Sequence, residues 1–135
     1  MRVRHKPWAD DYIEEHSNIV VSNPSEKKGQ WSNIFQREAP IHLEIGSGKG
    51  QFIAGMAQQF PNIDFVGVEV VKSIIVTTID KVKESERSNV RLLNENAEDL
   101  DEIFADGEVS VIYLNFSDPW PKNRHEKRRL TYRSY

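Results

Sequence analysis

Length and composition limit the classes to which this chain can belong. Its 135 residues, 38% hydrophobic and 29% charged, fit one small globular domain with a core. It has no cysteine, which excludes disulfides, catalytic thiols and thiolate metal sites, and its four histidines are scattered without metal-ligand spacing. No apolar run reaches the length of a membrane span, so we expect a cytoplasmic protein that contacts neither membrane nor metal.

The net charge of −3 conceals an asymmetry along the chain. The segment from residue 122 to the end holds six Lys or Arg and one Glu, a net of +5, which leaves −8 for everything before it. A basic segment on an acidic body suits an anionic partner such as nucleic acid, although a charge cluster is often only a solvated surface.

The chain changes character at Pro40. Residues 1–39 are polar and lack sustained periodicity, which predicts a partly irregular N-terminal arm with room for a short helix over residues 8–15. Trp8 and Trp31 are candidates for attaching this arm to the body. Residues 40–135 alternate between strand and helix patterns, which predicts an α/β domain, a parallel sheet covered by helices on both faces.

Periodicity predicts the elements of this second part. Strands are predicted over residues 41–45, 63–68, 90–93 and 109–114, in the sheet order 3-2-1-4. Apolar residues at helical spacing predict helices over residues 52–60 and 70–82, and a short helix from Leu100. In the first of these helices the residues expected in the core are Phe52, Ile53, Met56, Ala57 and Phe60.

A glycine-rich turn follows the first predicted strand, with glycine at positions 46, 48 and 50. A strand that reverses into a helix against a ligand needs positions without Cβ. The dinucleotide fingerprint fails because Gly50 comes one residue early, and the P-loop pattern fails because Lys49 precedes glycine rather than Ser or Thr. Glu44 would repel a pyrophosphate and suits a cationic ligand such as S-adenosylmethionine. A purely structural turn is the alternative.

Polar side chains follow the next two strands. Glu69 ends the second strand, 23 residues after Gly46, where an acid commonly accepts hydrogen bonds from ribose hydroxyls. Asn96 follows the third strand and is predicted either to contact the ligand's adenine or to cap the next helix.

The segment after the fourth strand is the second informative stretch. It reads Asn115-Phe116-Ser117-Asp118-Pro119-Trp120-Pro121-Lys122 and puts a carboxylate and an aromatic ring between stiffening prolines, at the edge beside the first strand. The basic run that follows at once is well positioned to hold a phosphate backbone. Together these features favour a methyltransferase that acts on RNA.

These motifs resemble the bacterial tRNA (guanine-N7-)-methyltransferase family. The resemblance rests on the glycine turn, on Gly67-Val68-Glu69 and Asn96-Ala97-Glu98, and above all on Phe116 to Lys122 with the basic run from His125 to Leu130. It implies a Rossmann-like class I methyltransferase. The implied reaction moves a methyl group from S-adenosylmethionine to N7 of a guanine in the variable region of tRNA.

The resemblance also implies roles for individual residues. The cofactor contacts that it implies are Glu44, Gly46, Ser47, Gly48, Gly50, Glu69, Asn96, Ala97 and Asp118. We expect Asp118 to be catalytic as well, by orienting the guanine. The implied tRNA contacts are Lys122, Arg124, His125, Glu126, Lys127, Arg128 and Arg129.

One departure from the family affects the expected activity. Family members continue well past the point where this chain ends, so we expect a sheet truncated after its fourth strand and weak or absent activity of the 135 residues alone. Two alternatives stay open. They are a class I methyltransferase for a small molecule or a protein, and a catalytically incomplete RNA-binding remnant. Monomer and homodimer also remain open.

Overall fold

A four-stranded parallel sheet forms the centre of the computed structural model, which describes residues 8–46, 48 and 50–114. The strands are β1 (Ile41–Ile45), β2 (Asp64–Val68), β3 (Val90–Leu93) and β4 (Val111–Leu114). They lie in the order β3-β2-β1-β4, and all three neighbouring pairs are parallel. The predicted strand order is therefore confirmed.

Five α-helices lie in the part of the chain that the structure describes. They are α1 (Ala9–Glu15), α2 (Trp31–Phe35), α3 (Gln51–Gln59), α4 (Lys72–Ser85) and α5 (Leu100–Ile103). Short 3-10 turns cover Pro24–Lys27 and Ala97–Asp99. The predicted start of α4 was wrong: Val70 lies before the helix and is 58% exposed, because the chain first completes the loop that follows β2.

The sheet is covered on both faces, as the alternation of strands and helices predicted. On one face Leu43 and Val66 pack with Trp31, Leu100 and residues near α5. On the other face a second cluster joins strand residues to α1, α3 and α4, with the members Phe65, Leu92, Ile53, Ala57, Ile75 and Ile79. Neighbouring residues of β2 belong to different clusters because successive side chains of a strand point to opposite faces.

The core of α3 is narrower than predicted. Ile53 and Ala57 are buried, but Phe52 and Phe60 are 39% and 38% exposed. Phe52 is turned about 100° around the helix from its neighbour Ile53, and Phe60 lies past Gln59, the last residue of α3. Phe52 instead meets the ring of Tyr113 edge-on, with the centroids 5.3 Å apart.

The arm is attached through Trp31, which is fully buried. Its indole Nε1 donates to the Ile103 carbonyl at 3.0 Å, and its ring stacks on Phe104 with the centroids 4.8 Å apart. Trp8 is 49% exposed and meets Tyr12 of its own helix edge-on. Trp31 is thus a buried anchor of the arm, whereas Trp8 is half-exposed.

A second attachment of the arm runs along the outer edge of β3. Val20 forms an isolated parallel bridge with Leu92, and the Val21 amide donates to the Leu92 carbonyl at 3.0 Å. Ile19, Val20 and Val21 are all buried. Backbone pairing at this edge draws the chain before β1 into the core, which the polar composition of residues 1–39 did not indicate.

Candidate functional site

The carboxyl ends of the strands meet at one edge of the sheet. Ile45, the last residue of β1, pairs with Val68 of β2 and with Leu114 of β4, and Val68 pairs with Leu93 of β3. The loops that leave β1, β2 and β3 therefore start side by side. In open parallel sheets of this kind ligands bind in the crevice at this edge.

The glycine turn adopts backbone conformations that side chains disfavour. Gly46, Gly48 and Gly50 have φ angles of 80°, 57° and 88°, all in the left-handed region. The Gly46 amide still donates to the Val68 carbonyl at 2.9 Å, so the turn begins in register with β2. The positive φ angles confirm the predicted sharp reversal after β1, and the close approach of a ligand to this backbone stays a prediction.

Two glycines of the turn differ in their surroundings. A Cβ on Gly50 would lie 3.0 Å from Cγ2 of Thr78 and 3.3 Å from its Cα, so Gly50 permits close packing against α4. A Cβ on Gly48 would meet no described atom within 4 Å. The turn is consequently packed on α4 at Gly50, whereas none of the described residues borders the Cβ side of Gly48.

Glu44 is a buried acid at the middle of the sheet. It lies two residues before Gly46, is only 2% exposed, and stands between Gly67 of β2 and Tyr113 of β4 in the strand register. This register puts the acid one residue before the end of β1, close to the start of the glycine turn. An ionised carboxylate there would attract a cation and repel a phosphate.

Glu69 follows β2 directly and is 8% exposed. Its backbone amide donates to the Leu93 carbonyl at 2.9 Å, and its Oε2 accepts a hydrogen bond from the Val71 amide at 3.1 Å. The side-chain amide of Asn94 donates to the carbonyls of Glu69 and Val70, at 2.9 and 3.2 Å. Asn94 thus fixes the loop that carries Glu69, a role that sequence reasoning missed.

Asn96 acts as a cap in this structure. Its Oδ1 accepts from the Glu98 amide at 2.9 Å at the start of the 3-10 turn, and both Asn96 and Ala97 are exposed. Of the two interpretations offered for Asn96, the structural one is observed, and adenine contact stays a prediction. Nearby, burial raises the pKa of Glu95, and the negative charge of Asp99 raises it further.

The remaining predicted site residues lie outside the described residues. They are Ser47, Asp118, Lys122, Arg124, His125, Glu126, Lys127, Arg128 and Arg129. Within the described part of the chain, no cluster of three or more His, Asp or Glu side chains could hold a metal ion. None of the helices in that part is long and apolar enough to cross a membrane.

Comparison with known protein families identifies the group to which this sequence is related. The family model described as "Putative methyltransferase" matches residues 38–135, most of the chain. The chain belongs to this family. The match begins close to Pro40, where the sequence pattern changes from the arm to alternating strands and helices.

Two curated relatives agree with this family. A protein of Oceanobacillus iheyensis named tRNA (guanine-N(7)-)-methyltransferase is 64% identical, and one of the same name from Bacillus subtilis is 59% identical, each over 98% of this chain. The chain spans 62% of the length of either relative.

Among solved structures, a "putative S-adenosyl-L-methionine-dependent methyltransferase" of Methanococcus maripaludis aligns with 98% of this chain and 62% of its own. Its TM-score is 0.54 at 15% identity, a likeness that concerns the fold alone. The predicted Rossmann-like class I methyltransferase fold is therefore confirmed.

Proposed function

We propose that this chain belongs to an enzyme that transfers a methyl group from S-adenosylmethionine to N7 of a guanine in tRNA. The observation that carries the proposal is the strand register, which puts Glu44, the start of the glycine turn and Glu69 near the carboxyl ends of β1 and β2, with both acids buried. The names of the relatives that are 64% and 59% identical support the same activity.

The chemistry of these residues fits the proposed methyl donor. S-adenosylmethionine carries a sulfonium, an amino group and no phosphate, and when bound it supplies an electrophilic methyl group. Buried carboxylates beside a turn with positive φ angles match those positive charges better than the phosphates of a dinucleotide. Glu69 is positioned to accept from ribose hydroxyls, and Glu44, Gly46, Ser47, Gly48, Gly50, Asn96 and Ala97 complete the proposed contacts.

The reaction needs alignment more than acid–base catalysis. N7 of guanine presents a lone pair, so its attack forms the N7–methyl bond while the sulfur–methyl bond breaks, and the positive charge passes from sulfur to the base. We assign to Asp118 acceptance of hydrogen bonds from N1 and N2 of that guanine, which orients N7 and partly balances its new charge. A chain without cysteine can perform this chemistry.

The basic run supports tRNA as the partner. Lys122, Arg124, Lys127, Arg128 and Arg129 follow the proposed catalytic loop, and His125 and Glu126 lie among them. Cations in this position can hold phosphates while a base enters the crevice. We propose that residues 40–135 form the N-terminal part of the methyltransferase domain, that residues 1–39 form its arm, and that the enzyme acts in the cytoplasm.

The test is a methylation assay with labelled S-adenosylmethionine and bulk tRNA, followed by digestion to nucleosides. We expect the label in 7-methylguanosine, at a low rate for the 135-residue chain and at a high rate when the chain is extended to the length of its relatives. Asp118→Ala should abolish the label in both proteins without changing their melting temperatures. Label in another nucleoside, or an unimpaired Asp118→Ala variant, would contradict the proposal.

Binding measurements separate the alternatives. Saturable binding of S-adenosylmethionine without salt-sensitive binding of tRNA would favour a methyltransferase for a small molecule or a protein. Binding of tRNA without saturable binding of S-adenosylmethionine would favour an RNA-binding remnant. Glu69→Gln should weaken binding of the donor, whereas Glu84→Gln on the exposed side of α4 is the matched control that should not.

A further inference from the structure

Thr78 of α4 contacts the glycine turn from thirty residues further along the chain. Its Oγ1 donates to the Gly48 carbonyl at 2.5 Å, and the residue is fully buried. The same hydroxyl also lies 3.2 Å from the Ile74 carbonyl one turn earlier on α4. A hydroxyl has one hydrogen to donate, and the shorter distance favours Gly48 as its acceptor.

This contact restrains Gly48, the residue at the middle of the turn. Gly48 has a φ of 57° and no described atom within 4 Å of the position that a Cβ would take. Glycine loses more conformational freedom on ordering than any other residue, so an unrestrained Gly48 would sample many orientations. A hydrogen bond to its carbonyl fixes the peptide group at this point without filling the open space.

The methyl group of Thr78 contributes separately to the same region. Cγ2 of Thr78 would lie 3.0 Å from a Cβ on Gly50, so the threonine side chain borders both glycines. The loop that carries Glu69 leads directly into the N-terminal end of α4. Oε2 of Glu69 accepts a hydrogen bond from the amide of Val71, the residue just before this helix. Thus α4 links the glycine turn and Glu69 through one rigid element.

We propose that Thr78 is a positioning residue, which fixes the Gly48 carbonyl and thereby the distance and orientation of the glycine turn relative to Glu69. The effect of this positioning on the binding of S-adenosylmethionine rests on the function proposed above. Thr78 acts through the turn and touches none of the reacting atoms. Preorganisation of this kind raises affinity because the bound geometry exists before the ligand arrives.

The experiment compares Thr78→Ala with Thr78→Ser in the full 135-residue chain. Both variants lack the Cγ2 methyl group of threonine, so the difference between them isolates the effect of the hydroxyl group. Ser85→Ala is the matched control, because Ser85 Oγ donates to the Val82 carbonyl on the same helix at 2.6 Å, away from the turn. Melting temperatures of all three variants measure the purely structural effect.

Two readouts decide the outcome. In the ligand-free protein, the carbonyl carbon of Gly48 should shift upfield by NMR in Thr78→Ala and keep the wild-type shift in Thr78→Ser. By calorimetry, Thr78→Ala should bind S-adenosylmethionine about fivefold more weakly than Thr78→Ser, a change typical of one lost hydrogen bond. Ser85→Ala should bind with wild-type affinity, whatever its melting temperature.

Equal Gly48 carbonyl shifts in Thr78→Ala and Thr78→Ser would overturn the inference. Equal affinities of these two variants for S-adenosylmethionine would also overturn it, provided that the wild-type chain binds this ligand. A wild-type chain that shows no saturable binding contradicts the proposed function instead. In that case the Gly48 carbonyl shift in the ligand-free protein decides the inference by itself.

Discussion

The loops after β1 and β2 start side by side at the same edge of the sheet, yet they are held in different ways. The turn after β1 depends on the positive φ angles of Gly46, Gly48 and Gly50. The loop after β2 depends on side chains, since Asn94 donates to two of its carbonyls and Glu69 accepts from Val71. A turn whose shape depends on left-handed glycines leaves a spacing of glycines in the sequence. Side chains that hold a loop from elsewhere in the chain, as Asn94 holds the loop after β2 and Thr78 holds Gly48, leave no local pattern.

Gly50→Ala should cause the largest loss of stability, because it adds a methyl group where the turn packs against α4. The new methyl group would meet Thr78 at 3.0 Å and Cβ of Lys81 at 3.2 Å in a backbone with φ of 88°. Left-handed strain and overpacking together predict a loss of about 3 kcal/mol in the free energy of unfolding, measured with urea.

Gly55→Ala is the matched control on the following helix. Gly55 lies within α3, is exposed, and has no described atom within 4 Å of its Cβ position. Replacing a glycine in a helix with alanine stabilises by about 0.5–1 kcal/mol, so the two variants should change stability in opposite directions. A Gly50→Ala protein as stable as the wild type would contradict the packing of the turn on α4.

Asn94→Ala removes the side chain that holds the loop after β2. Two hydrogen bonds to the Glu69 and Val70 carbonyls would be lost, which predicts a loss of about 2 kcal/mol by urea unfolding. If Glu69 binds the methyl donor, affinity for S-adenosylmethionine should fall at the same time. Asn18→Ala, at an exposed position of the arm, should change neither quantity. Wild-type stability of Asn94→Ala would show that the loop after β2 is held by something else.

Gly48→Ala separates the effect of backbone conformation on stability from the effect of packing against α4. Gly48 has a φ of 57° but open space around its Cβ position, so only the backbone strain of a left-handed residue applies. We expect a loss of about 1 kcal/mol, clearly smaller than that of Gly50→Ala. Equal losses for the two variants would mean that φ alone, and not contact with α4, accounts for both.

The smallest expected effect is a pH dependence at His42 of β1. Burial lowers the pKa of His42 below the usual 6.5, and its Nδ1 lies 3.0 Å from the Tyr113 hydroxyl. The unfolded chain then binds the proton more readily than the native one, so stability is complete above about pH 6.5 and falls as the pH drops below it. His42→Gln should reduce the loss of melting temperature between pH 7.5 and pH 5. An unchanged loss would contradict a neutral, half-buried imidazole at His42.

Much of this fold was predictable because its signals are local. The apolar strands, the glycine turn and the acid that ends β2 each occupy a few adjacent residues, and the parallel sheet then brings Glu44, the turn and Glu69 together. Asn94 and Thr78 were not predictable as site residues. Each acts across a gap in sequence, through the register of β2 with β3 and through the packing of α4 on the turn.

The N-terminal arm also depends on contacts between residues that are far apart in the sequence. Of the two tryptophans that were candidate anchors, Trp31 is fully buried against Phe104 and Trp8 is half-exposed. The pairing of Val20 with Leu92 gave no signal, since a single backbone bridge needs no particular side chain. Glu108, whose carboxylate accepts from the amides of Gly29 and Trp31, likewise acts over more than seventy residues.

An NMR titration of the 135-residue chain with S-adenosylmethionine, with NAD as the comparison ligand, shows whether the edge of the sheet at the glycine turn selects a cationic methyl donor. If carboxylates around the turn select a cationic methyl donor, the amide signals of Gly46, Gly48, Gly50 and Glu69 should shift saturably with S-adenosylmethionine and remain unchanged with NAD. Shifts confined to residues away from this edge of the sheet, or equal shifts with both ligands, would contradict the account.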